Sequence, residues 1–180
     1  MRINSYASTA QAIKAPFTFY YVRDNDWSES HNWDYWNKNF TSAASVDNTI
    51  TTKTIYDPSV SGFTLPRTAA FTGFSSTGDY TNYSSQFNVS GSFNQGFFFY
   101  TNGWKTGSTV FFDALGFRDT FSGRSSGTGA VLYVGGGGTF WASGASSASL
   151  GLHLDFRSGF VFPQGADGRS YGLSVRPVKE

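Results

Sequence analysis

LGLHLDFRSGFVFPQGADGR, residues 150 to 169, is the stretch whose reading decides the fold. Leu150, Leu152, Leu154 and Phe156 recur every second residue, which places them on one face of a strand and Gly151, His153, Asp155 and Arg157 on the other. The first face is uniformly apolar and belongs to a core. The second mixes a bare backbone, an imidazole, a carboxylate and a guanidinium, a set that suits neither a core nor a plain solvated face. Ser158 and Gly159 turn the chain. Phe160-Val161-Phe162 then returns as a second strand in which Val161 continues the apolar face and Phe160 and Phe162 point away from it. Spacing alone leaves two readings of those phenylalanines, because a run of three apolar residues also fits burial between two layers. Gln164 to Arg169 reads as a polar loop, and Gly172 to Val178 as a last strand that Pro177 confines to an edge or an end.

Working outward, 180 residues suit a single domain with a core of its own. The chain is 39% hydrophobic and 19% aromatic but only 14% charged, and its Gly, Ser and Thr content is that of strands and turns. A net charge of +1, with no run of Lys and Arg, provides no field for nucleic acid or an anionic membrane. Cysteine is absent, which removes disulfides, thiolate nucleophiles and cysteine metal sites. No apolar run is long enough to insert into a membrane, and residues 1–16, MRINSYASTAQAIKAP, read as a polar linker or the end of a longer upstream region, leaving 17–180 as the domain.

Phe17 to Val22 is the first expected strand. Ser28 is a candidate N-cap for a short helical turn, and Trp27, Trp33 and Trp36 form either a minor core or a sugar-stacking platform. Phe93 to Tyr100 and Ser108 to Asp113 read as strands joined by a glycine-containing loop, followed by short strands at Ala130 to Val134 and Thr139 to Ser143. The glycines at 135 to 138 are not a phosphate cradle, since neither a helix pattern nor a lysine follows. No long amphipathic pattern exists, so the expected class is α+β, predominantly β, with short helices and a loop-rich framework. His31 and His153 lie in no catalytic or metal-binding spacing and read as loop or surface residues. The sequence thus offers no catalytic residue, no metal site and no cofactor.

The segments YDPSVSGFTLPRTAAFTGF (56–74), NVSGSFNQGFFFYT (88–101), STVFFDALGFRD (108–119), FWAS (140–143) and YGLSVRPV (171–178) resemble the C-type-lectin-like domains of surface and phage-tail proteins of gut bacteria, a fold similar to that of the formylglycine-generating enzyme. The resemblance covers about two-thirds of the chain, from Tyr56 to the C-terminus, and is most specific at GLSVRPV. The enzyme branch needs cysteines for its oxygen chemistry, and this chain has none. The other branch includes the variable proteins of diversity-generating retroelements, in which adenine-directed copying errors rewrite C-terminal codons. The last asparagine here is Asn102, and residues 132–171 contain no Lys, Glu or Met, as rewriting of asparagine codons would leave. The drift towards Gly and Ser in that region accounts for the same absences without rewriting.

The resemblance implies a variable ligand-binding face made of Leu132, Tyr133, Gly137, Ser149, Gly151, His153, Asp155, Arg157, Phe160, Phe162, Gly165, Ala166, Asp167, Gly168 and Tyr171, with Phe140 as a further aromatic anchor. Such positions must face solvent, since a fold tolerates rewriting only where packing does not choose the residue. The implied partner is a host-cell surface protein or glycan receptor. The implied setting is a virion tail tip or bacterial surface, as a homo-oligomer, commonly a trimer, or as part of a larger fibre. Two alternatives stand beside it: a structural fibre or pilus assembly module, and a carbohydrate-binding module built on Trp27, Trp33 and Trp36.

Overall fold

Ser8 opens the first ordered element because Ser-x-x-Gln places two reciprocal partners one turn apart. The Ser8 hydroxyl accepts from the Gln11 amide and the Gln11 side chain accepts from the Ser8 amide. The computed structural model describes residues 2–3, 6–15, 17–20, 26–43, 46, 48–120 and 129–180. In chain order it contains β1 (Arg2–Ile3), α1 (Thr9–Lys14), β2 (Phe19–Tyr20), β3 (Phe63–Thr64), β4 (Val89–Ser90), β5 (Gly96–Tyr100), β6 (Thr109–Asp113), β7 (Phe117–Arg118), β8 (Val131–Leu132), β9 (Gly137–Ala145), β10 (Leu150–Arg157), β11 (Phe160–Gly168) and β12 (Val178–Lys179), with single 3-10 turns at Thr72–Phe74 and Ser84–Gln86. The architecture is predominantly β, as the composition implies.

Among the described residues of the segment 1–16, β1 and α1 form regular structure. β1 pairs with β2 in parallel, and Ala7 is buried with its amide donating to the Trp27 carbonyl. The strand expected at 17–22 shrinks to Phe19–Tyr20, with Phe17 exposed and 21–25 outside the described residues. No helix follows Ser28, whose hydroxyl is instead engaged by Ser30 at 3.0 Å and by the Tyr35 hydroxyl at 2.5 Å.

Two three-stranded antiparallel sheets, β4-β5-β6 and β9-β10-β11, face each other across an aromatic core. Phe97, Phe99 and Phe112 come from the first sheet, and Phe140, Leu152, Leu154, Phe156 and Val161 from the second. Phe156 meets Phe99 edge-on at 5.4 Å, Phe112 meets Phe140 at 5.1 Å, and Phe74 stacks on Phe99 at 4.1 Å. Offset and edge-to-face contacts of this kind add about 0.5 to 1.5 kcal/mol each to the area they bury. The apolar face expected of β10 is the core face, and Val161 continues it.

Gly138 explains the glycine run by packing. A Cβ there would lie 2.4 Å from the Phe156 ring and 2.6 Å from the Asp113 carbonyl, so β9 passes this point only as bare backbone. β11 runs on to Gly168, where a loop is expected from Gln164. A bulge at Pro163 and Gln164, between the pairs Asp155 with Phe162 and His153 with Gly165, reconciles the missing proline N–H with a continuous strand. The last strand reduces to β12, which pairs with β3, preceded by isolated bridges from Gly172 to Arg118 and from Ser174 to Phe140. Pro177 sits immediately before β12, at a strand end.

The N-terminal third covers part of the opposite face of the second sheet. Tyr35, Trp36, Leu65 and Trp141 form a second core, with Trp36 against Trp141 at 4.9 Å and Trp27 against Tyr35 at 5.1 Å. Trp27, Trp33 and Trp36 are thus no open platform, because Trp36 is spent on packing. Arg169 secures the layer: its guanidinium reaches the buried Asp26 carboxylate at 2.5 Å, donates to the Asn32 and Ala148 carbonyls and lies 4.9 Å from the Tyr35 ring.

Candidate functional site

Strand register decides which expected site residues share a surface. His153 pairs with Trp141 and Gly165, Asp155 with Thr139 and Phe162, and Arg157 with Gly137 and Phe160, so all of these stand on the face away from the main core. Phe140 pairs with Leu154 and falls on the core face, 4% exposed, stacked against Phe156. It is a packing residue and not a surface anchor.

The outer face divides into a covered half and an open half. Gly151 is covered: a Cβ there would meet Trp36 at 2.6 Å and Trp141 at 2.8 Å. His153, expected at the surface, is 3% exposed, edge-on to Trp141 at 5.7 Å and closed from the other side by Gly165, where a Cβ would lie 2.6 Å from Nε2. Gly137 is buried against Arg157 and the Phe156 carbonyl, and Gly168 is buried as well. The solvent-facing expectation therefore fails at Gly137, Phe140, Gly151, His153, Gly165 and Gly168. The two-residue period assigns a face; it does not say whether another layer covers it.

In the open half, Arg157 lies 3.6 Å from the centroid of the exposed Tyr133 ring and 5.3 Å from that of Phe160. Phe160 and Phe162 are half-buried on adjoining sites, and Tyr80 touches both, at 5.8 and 5.6 Å. On the other side Tyr133 stacks on Phe117 at 5.8 Å, and Phe117 meets Tyr171 at 5.9 Å. The result is a band of aromatic rings with a guanidinium set into it. Leu132 is half-buried and pairs across the β7–β8 ladder with Phe117, Ser149 is half-buried, and Ala166 is exposed but registers with Leu152, on the other face of the sheet.

Tyr80 is the contributor that sequence reasoning missed. It sits in a polar, turn-like stretch, and only the bridge between Thr81 and Val161, with Gln164 Nε2 donating to the Gly78 carbonyl at 2.7 Å, brings it to the hairpin.

The electrostatics run along the boundary between the halves. Burial pulls the His153 imidazole down to about 4, opposed by the Gly151 backbone, which is not in hydrogen-bonding geometry with the buried Nδ1. Burial pushes Asp155 up to about 6, with Arg157 lowering it and Asp167 raising it further. Asp155 Oδ1 is buried without a hydrogen-bond partner, and Asp167 Oδ2 stands 3.6 Å from His153 Nε2. A neutral imidazole, a carboxyl that is readily protonated and an exposed carboxylate thus line one flank of the aromatic band. Among the described residues no group of three or more His, Asp or Glu is placed to hold a metal ion.

Compared with family models, with curated proteins and with solved structures, the chain matches none.

Proposed function

We propose that the chain is a ligand-binding domain of the C-type-lectin-like kind, displayed on a virion tail tip or a bacterial surface, and that it grips a host-surface receptor with the open half of the β10–β11 sheet. The observation that carries this reading is Arg157 set between Tyr133 and Phe160 and extended by Tyr80 and Phe162. Rigid aromatic rings around a guanidinium are the composition of binding hot spots, because they offer large contact area at little entropic cost. The paired strands beneath them are held by the aromatic core, so side chains can change without moving the backbone.

Retroelement rewriting fits this surface on a reduced set of positions: Tyr133, Asp155, Arg157, Phe160, Phe162, Asp167 and Tyr171. The test is deep sequencing of codons 130–180 and the flanking DNA in a natural population of the gene. Substitutions concentrated on that set, with an adenine-bearing near-repeat nearby, are the expected result. Uniform codons and no repeat would remove diversification from the reading, and free substitution at Gly151 or Phe140 would remove the surface assigned to it.

A further inference from the structure

The loop joining β5 to β6, residues 101–108, holds a feature that the β10–β11 surface does not use. Trp104 lies there 43% exposed, whereas Trp36 and Trp141 are buried and Trp27 and Trp33 are partly so. The backbone on either side of the indole is fixed. Buried Asn88 accepts from the Lys105 amide at 2.7 Å and donates to the Gly103 carbonyl at 3.0 Å and the Gly73 carbonyl at 2.7 Å. Lys105 adopts a φ of 51°, a left-handed conformation costly for any residue but glycine. Its ammonium donates to the Ser85 carbonyl at 2.8 Å and stands 5.2 Å from the Trp104 ring. A buried amide and a lysine of left-handed backbone thus fix the loop that carries a large, partly exposed apolar ring, whose exposure the hydrophobic effect opposes.

Beside the ring is a cleft of about 440 Å³ lined by Ser75, Ser76, Asn88, Tyr100, Thr101 and Trp104, with no charged side chain among its walls. Among the described residues the Ser76 and Tyr100 hydroxyls and the Trp104 indole N–H have no hydrogen-bond partner in the protein. The volume lies in the range of small-molecule sites.

We propose that this cleft binds a neutral saccharide stacked on Trp104. A pyranose ring presents a patch of C–H groups on one face and hydroxyls around its rim. The C–H face matches the negative π-face of an indole, and the rim matches hydroxyls that both donate and accept. The cleft walls themselves carry no charged side chain, so a sugar there is held by the indole face and by hydroxyls, with the Lys105 ammonium, bonded to the Ser85 carbonyl, 5.2 Å from the same ring. The site shares no residue with the β10–β11 surface and stands or falls separately from it.

The test is calorimetric titration of the whole chain with cellohexaose, maltohexaose, xylohexaose, mannohexaose and chitohexaose, and with alginate and sulfated oligosaccharides as charged counterparts. At least one neutral oligosaccharide binds at millimolar concentration or better. W104A weakens that binding at least about tenfold without changing the melting temperature, W104Y keeps most of it, and F160A leaves it unchanged. Binding of none of the panel, equal binding by W104A and the parent, loss on F160A instead, or a preference for the charged sugars would each overturn the proposal.

Discussion

Gly165 lies directly against the imidazole of His153: a Cβ at 165 would come within 2.6 Å of Nε2 and 3.0 Å of Cε1. The two residues face each other across the β10–β11 ladder and lock each other's size. Gly165→Ala should therefore destabilise the fold by about 1 to 3 kcal/mol through overpacking. Combined with His153→Ala, which vacates the space, it should cost less than the sum, with a coupling of about 0.5 to 3 kcal/mol. Gly159→Ala, with nothing within 4 Å of its Cβ, is the control and should stay within about 0.5 kcal/mol of the parent. Urea unfolding of the four variants and the parent measures this; strict additivity would mean the pair is not in contact.

The same imidazole and Asp155 make opposite contributions to the pH dependence of stability. His153 is depressed from 6.5 to about 4, so the unfolded chain takes up a proton that the fold refuses, and stability falls as pH drops from 6.5 towards 4. Asp155 is raised from 3.8 to about 6, so the fold keeps a proton that the unfolded chain releases, and stability falls as pH rises from 3.8 to 6. Each effect is on the order of 3 kcal/mol. Between pH 4 and 6 the unfolded chain carries one proton on the imidazole and the fold one on the carboxyl, so the slopes cancel. Asp155→Asn should expose a stability that rises with pH up to 6.5, and His153→Gln one that falls with pH up to 6. Variants that both keep the parent's profile would contradict the assignment.

Phe140 and Phe160 belong to different faces and should respond differently to truncation. Phe140→Ala empties a core position between Phe112 and Phe156 and should cost about 3 to 5 kcal/mol. Phe160→Ala removes a half-buried ring and should cost less than about 1 kcal/mol of stability while weakening the proposed receptor attachment by about 1 to 3 kcal/mol. Thermal unfolding separates the two, and comparable losses of stability would place Phe160 in the core.

Arg169 closes the second core by ion pairing. Arg169→Met leaves the Asp26 carboxylate buried without its guanidinium and should cost about 3 to 5 kcal/mol, much of it recovered by adding Asp26→Asn. Because these partners join the last strand region to the N-terminal third, the single variant should become sensitive to limited proteolysis between residues 26 and 56. Unchanged protection would show that the aromatic contacts alone hold that layer.

What the sequence alone determined was local. The two-residue period of Leu152, Leu154 and Phe156 selects the core face of β10 and orients Val161 with it, and the Ser-x-x-Gln spacing of Ser8 and Gln11 encodes a capping box. Absence of cysteine closed off several chemistries before any fold was considered. The tertiary structure alone decided how much of the second face remains open. That depends on Trp36, more than a hundred residues away from Gly151, and on Tyr80, brought in through Thr81. A strand's period records the direction in which each side chain leaves the backbone, and covering that direction takes another layer whose arrival no local pattern encodes. His153 and Arg157 are equivalent by period; only packing makes one a buried neutral imidazole and the other a half-buried guanidinium among aromatic rings.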